Sequence, residues 1–345
     1  MSRLPSGGRS WGWLLLGIVS LGCVTAGGRS GLPSERPVDI VDPPAPAGGR
    51  TIFIAMPNSP NFLEVRKSLV SELQKNFGIV TFVVGATTVP DELGLAIRRA
   101  RPACAVLMNN ATIALLGKYE LTHPAQIFPP TVLLMASLIE EMKDAVQHAT
   151  GIAYEVPGVT AFVNLRTIIR APVNRVGVIY RPTLRKFVER QRALATAEHI
   201  DIVAAEVTSD VTAEGLREAL EKLVRDHPID ALWMLNDSAL VRDAQFRDDA
   251  WRAELRESNL PLVVGAANLV NPASPLGTLA VVPDHEALGL QAANLIFELA
   301  DDDWRTERHP VELPLSVQTV VDIKMARAHF GLRPEALRHV DRALE

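Results

Sequence analysis

The chain has little cysteine and no excess of positive charge. It contains only two cysteines, Cys23 and Cys104, among 345 residues, so the sequence offers neither a disulfide framework nor a cysteine metal site. Lysine and arginine total 35 against 40 for aspartate and glutamate, which gives a formal net charge of -5. Binding to a nucleic-acid backbone needs a basic surface. DNA and RNA are therefore poor candidates for partners.

Motifs for catalysis are also scarce. The sequence has no Gly-rich phosphate loop of the Walker type, no dinucleotide fingerprint, no nucleophile elbow and no histidine pair at metalloprotease spacing. The most suggestive cluster is Asp284-His285-Glu286, which could hold a metal or supply an acid/base group. Alternatively, Asp284 begins the helix that follows, and the three side chains then point in different directions. We favour this alternative, expect neither metal nor cofactor, and keep Asp284 as a candidate ligand contact.

The first two dozen residues are typical of an export signal. Arg3 and Arg9 precede an apolar run over residues 11–21, which is too short to cross a bilayer comfortably. The run ends in Ser20-Leu21-Gly22-Cys23, which resembles the lipobox of bacterial lipoproteins, where cleavage leaves a lipid-carrying N-terminal cysteine. An ordinary secretory signal with an incidental cysteine is the alternative. We expect a signal peptide over residues 1–23 and lipidation of Cys23.

Residues 24–50 are rich in glycine, proline and serine and show no apolar period, which predicts an extended tether. Val24 follows Cys23, and by the usual Gram-negative sorting pattern a residue other than aspartate at this position favours the outer membrane. We therefore expect a periplasmic protein that contacts the membrane only through its lipid.

The middle of the chain contains an internal repeat. An apolar run that ends at Pro57 recurs as a similar run that ends at Pro182, and each leads into a helical pattern. Each copy then reaches a second apolar run that ends in asparagine, at Asn110 and at Asn236, after 53 and 54 residues respectively. A repeat of this length predicts two similar α/β lobes with a cleft between them.

Strand and helix patterns alternate in both copies. Predicted strands, apolar and short, lie at 52–56, 79–84, 104–108, 131–135, 176–180, 202–206, 231–235 and 261–264. Predicted helices lie at 60–77, 91–99, 111–116, 184–197 and 213–225. A later strand at 278–282, a helix at 286–299, a strand at 317–323 and a helical tail at 325–344 follow. This alternation predicts parallel sheets covered by helices on both faces.

Polar residues follow several of the predicted strands. Ligands bind at the carboxyl ends of strands in open parallel sheets. The residues at those ends are Asn58, Ser59, Asn109, Asn110, Ser137, Tyr180, Arg181, Asn236 and Asp237. Such groups suit a small polar ligand held by hydrogen bonds. Asparagine, aspartate and serine are also ordinary helix-capping residues, which is the alternative for each of them.

Several segments together resemble a known family. They are Gly151-Ile152, the run from Arg175 to Pro182, Gly277, Gly289, and the run from Leu315 to Ala326. With the strand order they resemble the substrate-binding proteins of ABC transporters that have the type I periplasmic-binding fold, in the branch linked to the aromatic amino acids tryptophan and tyrosine. The resemblance covers residues 51–332.

The resemblance implies two Rossmann-like lobes joined by a three-strand hinge, with crossings near 151–155, near 266–268 and before Val317. Lobe 1 would comprise residues 51–152 and about 268–308, and lobe 2 residues 153–267 and about 309–332, followed by a tail over 333–345. Family pocket positions carry over to Asn58, Ser59, Asn109, Asn110, Ser137, Tyr154, Tyr180, Asn236, Asp237 and Asp284. Tyr154 and Tyr180 could stack on an aromatic or apolar part of the ligand.

The leading hypothesis is a lipid-anchored solute-binding protein that captures a small polar or amino-acid-like ligand without catalysis, with an ABC permease as a candidate partner. One alternative is a sensor or envelope-assembly lipoprotein with the same fold. A third hypothesis is a hydrolase whose acid/base site consists of Asp284, His285 and Asp237.

Overall fold

The computed structural model describes residue 40 and residues 42–241 and 243–345. The predicted signal peptide, Cys23, Val24 and most of the predicted tether lie outside these described residues. Within them, no helix combines the length and apolarity needed to cross a membrane.

The described residues form a five-stranded sheet and a seven-stranded sheet. The strands are β1 (Arg50–Met56), β2 (Phe77–Val83), β3 (Cys104–Met108), β4 (Thr131–Leu134), β5 (Ala149–Gly151), β6 (Arg175–Tyr180), β7 (Asp201–Glu206), β8 (Ala231–Met234), β9 (Leu262–Val264), β10 (Leu279–Pro283), β11 (Val317–Asp322) and β12 (Arg342–Leu344). The smaller sheet has the order β2-β1-β3-β4-β5 and the larger one β12-β11-β10-β9-β8-β6-β7. All neighbours are parallel except β10 and β11.

Helices cover both faces of each sheet. They are α1 (Pro60–Leu73), α2 (Pro90–Ala100), α3 (Asn110–Thr122), α4 (Ile139–Met142), α5 (Gly158–Ile168), α6 (Arg185–Thr196), α7 (Ala213–Asp226), α8 (Ser238–Val241), α9 (Ala253–Ser258), α10 (His285–Asp301) and α11 (Ile323–His329). A π-helical segment, Phe246–Arg252, leads into α9. Helix α5 is not among the predicted helices, although its buried residues Ala161, Phe162, Leu165 and Ile168 have helical spacing.

Lobe 1 is built on the smaller sheet, and β1 shows how the sequence specifies it. Ile52 and Ile54 point to the core under α1 and α10, while Phe53 and Ala55 point to the core under α2 and α3. Alternate residues of a strand face opposite sides of a sheet, so a strand covered on both faces must be apolar throughout. Helices α1 and α10 pack closely at Gly289, where a Cβ atom would lie 2.4 Å from the Val65 carbonyl oxygen.

Lobe 2 is built on the larger sheet, and its composition corrects the predicted domain boundaries. Strand β10 was expected in lobe 1, but it pairs with β9 in parallel, with Leu279 opposite Val263. Residues 268–283 therefore belong to lobe 2. The second crossing accordingly lies at Asp284, between β10 and α10, and not at 266–268. The chain also passes between the two sheets after β5 and before β11.

The predicted tail over 333–345 and the helix expected over 325–344 are also wrong. Helix α11 ends at His329, and Gly331 follows with a φ of +69°, a left-handed conformation that stops a helix. The chain then returns to the sheet as β12, where Ala343 pairs with Val321 of β11. The C-terminal residues are thus part of lobe 2.

The last part of the predicted tether packs against lobe 1. Ile79 of the edge strand β2 donates its backbone N–H to the Pro43 carbonyl oxygen at 3.0 Å. The Asp42 carboxylate accepts hydrogen bonds from the Thr81 backbone N–H at 2.7 Å and from Arg66 at 2.6 Å. Residues 42–49 therefore cover an edge strand that would otherwise expose unpaired backbone groups.

Candidate functional site

The carboxyl ends of β3 and β4 in lobe 1 meet those of β6 and β8 in lobe 2 across a cleft. A cavity of about 480 Å³ lies there. Six of the predicted ligand-binding residues line it, three from each lobe, namely Asn109, Asn110, Ser137, Arg181, Asn236 and Asp237. Leu138, Thr183, Leu184 and Ser238 complete most of the wall. The topology of parallel sheets therefore brings together residues that are up to 128 positions apart, from Asn109 to Asp237.

On the lobe 1 side, the adjacent residues Asn109 and Asn110 have different roles. Asn109 caps α3, because its side-chain oxygen accepts a hydrogen bond from the Ala111 backbone N–H at 2.8 Å. Asn110 holds the loop after β4 through both halves of its amide. Its oxygen accepts from the Ser137 N–H at 2.8 Å, and its nitrogen donates to the Ser137 carbonyl oxygen at 2.7 Å. Asn110 thus positions Ser137 at the cleft.

On the lobe 2 side, Arg181 and Asp237 form a two-point ion pair. Nε and Nη2 of Arg181 each donate to a different Asp237 oxygen at 2.7 Å. Asp237 is buried and also accepts from the Ala239 backbone N–H at 3.0 Å. The bond to Asp237 raises the pKa of the Arg181 guanidinium. The pair is therefore charge-neutral toward a ligand, and neither member is an unpaired charge in the cleft.

Among the described residues, a hydrogen bond and an ion pair join the lobes across the cleft. Asn236 donates from Nδ2 to the Ser137 hydroxyl oxygen at 3.2 Å. Farther out, Arg190 of α6 forms an ion pair with Glu141 of α4 at 2.7 Å. Asn236, the repeat asparagine of lobe 2, thus contacts Ser137. Asn110, the repeat asparagine of lobe 1, holds Ser137 in position.

The loop after β4 inserts Leu138 between the lobes. Met135 and Leu138 have φ values of +51° and +58°, in the left-handed region that non-glycine residues seldom adopt. In this conformation Leu138 packs against the core of lobe 2 and lines a deeper cavity of only about 50 Å³. Phe187 and Trp233 line the same cavity. The Leu138 side chain therefore fills an aromatic part of the cleft.

Two titratable residues lie in the first crossing beside this loop. Glu155 accepts the Leu138 backbone N–H at 2.9 Å, and burial raises the pKa of its carboxyl to about 7. The hydroxyl of Tyr154 lies 3.0 Å from Nε2 of His285, whose Nδ1 lies 3.1 Å from a Glu64 carboxylate oxygen. Burial raises the pKa of Tyr154 to about 12, so its hydroxyl stays protonated. Both residues line the deeper cavity.

The remaining predicted residues line neither cleft cavity. Ser59 occupies the N-cap position of α1 without a side-chain bond, and its neighbour Asn58 also lies outside both cavities. Tyr180 is half-buried, and burial followed by the nearby Glu206 carboxylate raises its pKa. Asp284 accepts from the Ala287 N–H at 3.1 Å and so caps α10, as the helix-start alternative predicted.

The proposed acid/base group is not assembled. Asp284 also accepts from Gln318 at 3.3 Å, His285 contacts Tyr154 and Glu64, and Asp237 is paired with Arg181. Among the described residues, no group of three histidine, cysteine, aspartate or glutamate side chains is placed to hold a metal ion.

Several residues of the cleft are not among the predicted site residues. They are Leu138, Glu155, Thr183, Leu184, Phe187, Trp233 and Ser238. Glu155 stood next to Tyr154 in the predicted crossing, and an ionisable residue there was an available signal. Leu138 left no such signal, because its role depends on a left-handed backbone conformation.

Comparison with known proteins identifies the fold. No protein-family model matches the sequence, and no curated protein matches it. The ligand-free, open structure of CD0873, a substrate-binding protein with adhesive properties from Clostridium difficile, has a TM-score of 0.63 at 13% identity, covering 86% of this chain and 99% of that one. The ABC domain in complex with L-Trp from Streptococcus pneumonia has a TM-score of 0.55 at 13% identity, covering 86% and 100%. A conserved domain protein from Vibrio cholerae has a TM-score of 0.55 at 15% identity, covering 85% and 99%.

These similarities show that the chain has the two-lobed α/β fold of the periplasmic-binding type. The predicted fold class is confirmed.

Proposed function

We propose that this protein is an extracytoplasmic solute-binding protein that captures a small polar or amino-acid-like ligand between its lobes for an ABC transporter. The observation that carries the proposal is the cavity of about 480 Å³, which is lined by hydrogen-bonding side chains from both lobes and bridged by Asn236 and Ser137. Such a ligand is held without catalysis. A two-lobed receptor closes because only the closed state lets both lobes contact the ligand.

The charge balance of the cleft suits a neutral or zwitterionic ligand. Arg181 and Asp237 neutralise each other, which leaves the Asn109 amide, the Ser137 hydroxyl and the Asn236 amide as hydrogen-bonding groups. The deeper cavity offers aromatic surface at Phe187 and Trp233 for an apolar part of the ligand once Leu138 moves out. The similar Streptococcus domain is a complex with L-Trp, which supports an amino-acid-like ligand for this fold.

The proposal includes export and anchoring, which rest on the sequence alone. The lipobox-like Ser20-Leu21-Gly22-Cys23 supports a lipid on Cys23, and Val24 supports the outer membrane. An ABC permease is the candidate partner.

A second candidate is a sensor or envelope-assembly lipoprotein that does not transport a ligand. The specific observation in its favour is the deeper cavity of about 50 Å³, which is far below the roughly 300 Å³ of small-molecule sites. In this alternative Leu138 stays in place and the lobes act as one rigid body.

A thermal-shift screen of amino acids and small metabolites against the full chain tests the proposal. A ligand present at a hundred times its Kd stabilises by about 2.7 kcal/mol, and we expect a rise in Tm of roughly 5 °C. Asn236→Ala should reduce the rise, whereas Asn76→Ala, at an exposed asparagine of lobe 1, should leave it unchanged.

The Leu138→Ala variant separates the two candidates. If a ligand must expel Leu138 from the deeper cavity, removal of that side chain should tighten binding of the screened ligand by about tenfold, since burial of a leucine contributes roughly 1.5 kcal/mol or more. Leu121→Ala, at a leucine that is 82% exposed on α3, is the matched control. If no compound raises the Tm of either the wild type or Leu138→Ala, the solute-binding proposal is wrong.

A further inference from the structure

A second sizeable cavity lies in lobe 2, at the opposite end of the parallel strands from the cleft. Its volume is about 500 Å³, within the range of small-molecule sites. The end of α9, the loop 274–276 and helix α11 enclose it, and all three meet at the amino ends of β9 and β10. Because the cleft lies at the carboxyl ends of the same sheet, the two cavities are separate.

The floor of this cavity is apolar. Side chains from all three enclosing segments form it, and they are Leu255, Leu260, Leu276, Met325 and Phe330. Leu276 is 2% exposed and Phe330 7%, so the floor is fixed by the core and does not depend on a ligand. An apolar chain or ring laid on this surface would leave water, which favours binding.

The rim is cationic and carries free donors. The polar residues of the lining are Arg252, Arg256, Asn259, Ser274 and His329, none of them acidic. Across residues 42–241 and 243–345, the side chains of Arg256, Asn259 and His329 have no hydrogen-bond or ion-pair partner. A pocket favours the binding of an anion when its lining has unpaired cationic and amide donors and no carboxylate.

Arg252 builds this rim. It donates to the Pro275 carbonyl oxygen at 2.9 Å and to the Ser274 hydroxyl at 2.6 Å, and its guanidinium also contacts Asp248. It therefore holds the loop against α9. Burial, followed by repulsion from Arg247 and Arg256, lowers the pKa of Arg252. An anion bound there would relieve that repulsion.

We propose that this cavity binds a small amphipathic carboxylate, with its apolar body on the leucine and phenylalanine floor and its carboxylate at Arg256 and Asn259. The proposal does not depend on the function proposed for the cleft, because the two sites share no residue. The positive charge of the rim disfavours the binding of amphipathic amines. Small hydrophilic anions gain nothing from the apolar floor and should bind weakly.

Isothermal titration calorimetry on the full chain, with octanoate as the probe, tests this site. Octanoate should bind saturably with one-to-one stoichiometry at neutral pH. Octylammonium, which has the same chain and the opposite charge, and acetate, which has the same charge and no chain, should each bind at least tenfold more weakly. Uptake that does not saturate, or octylammonium binding as tight as that of octanoate, would overturn the proposal.

Variants locate the binding. Arg256 is exposed, so Arg256→Gln should fold normally, and it should weaken octanoate binding by about tenfold because it removes a charge-assisted hydrogen bond. Arg256→Glu should abolish binding. Arg225→Gln, at an exposed arginine of α7, is the matched control and should bind as the wild type does. Equal affinity in Arg256→Gln and the wild type would show that octanoate binds elsewhere and would overturn the assignment.

Discussion

At the scale of single residues, identical side chains at matched positions have different roles. Asn109 caps a helix, Asn110 holds the Ser137 backbone, and Asn236 reaches across the cleft to the Ser137 hydroxyl. The sequence predicted that asparagines would stand at the strand ends, because they follow apolar runs in both copies of the repeat. It left capping and ligand contact open for each, since both roles use the same short amide side chain.

Burial also decides how single ionisable residues behave. Cys104 is free and buried, and burial raises the pKa of its thiol to about 12. Glu120 of α3 is buried, with one oxygen accepting the Gln147 N–H at 2.7 Å and the other unpaired. Burial raises the pKa of its carboxyl to about 7.

Glu120 predicts a pH dependence of stability. Its pKa is about 7 in the folded protein and near its ordinary value of 4.5 when unfolded, so the folded state favours the protonated form. The stabilisation is fully present below pH 4.5 and is lost as the pH rises through 7. Glu120→Gln cannot ionise, and it should be more stable than the wild type by about 3 kcal/mol at pH 8 and equally stable at pH 4.

Urea unfolding at pH 4, 6 and 8 measures this difference. Glu72→Gln, at an exposed glutamate of α1, is the control and should follow the wild type. A difference between Glu120→Gln and the wild type that is independent of pH would contradict the role assigned to Glu120.

At the scale of elements, local patterns predicted most helices and strands, and tertiary contacts decided which sheet each one joins. Strand β10 is apolar and short, as expected, but its membership in lobe 2 depends on pairing with β9. The end of the chain shows the same limit, since a helical pattern continues past His329 in sequence while Gly331 turns the chain back to form β12.

The segment 42–49 is an element that composition alone assigned to the tether. Asp42 decides its position, because its carboxylate accepts three hydrogen bonds, from Arg66 and from the backbone and hydroxyl of Thr81. Glycine and proline content predicts flexibility only where no such long-range contact fixes the chain.

Asp42→Ala should release this segment from β2. We expect a loss of about 2 kcal/mol in unfolding free energy, since the variant leaves partly buried donors without an acceptor. Hydrogen exchange should accelerate at the Ile79 amide, which bonds to Pro43, and at the Thr81 amide. Asp91→Ala, at an exposed aspartate of α2, should leave both amides protected. Unchanged protection in Asp42→Ala would show that the segment is held by other contacts.

At the scale of the whole molecule, polar contacts and the packing of Leu138 hold the lobes together across the cleft. The Asn236 to Ser137 hydrogen bond and the Arg190 to Glu141 ion pair are both partly exposed. Exposed pairs of this kind each contribute only about 0.2–1 kcal/mol. The polar contribution to the free energy that favours closed lobes is therefore small enough for a ligand to offset.

Removal of both contacts should open the protein. The double variant Arg190→Ala with Asn236→Ala should shift the equilibrium about fivefold toward separated lobes, and the radius of gyration measured by small-angle X-ray scattering should increase. Arg217→Ala removes a surface ion pair within α7 and serves as the control, with no expected change. A double variant with the same radius of gyration as the wild type would show that Leu138 packing alone holds the lobes.

The sequence by itself determined the alternation of strands and helices, the two-lobed fold and the polar residues at the strand ends. These follow from apolar periodicity and turn chemistry, which act over a few neighbouring residues. Tertiary structure alone decided that Arg181 pairs with Asp237, that β10 belongs to lobe 2, and that Leu138 fills the deeper cavity. The first two depend on contacts between distant parts of the chain, and the third depends on a left-handed backbone that the packed neighbours impose. Such long-range contacts and such a backbone conformation have no local sequence pattern.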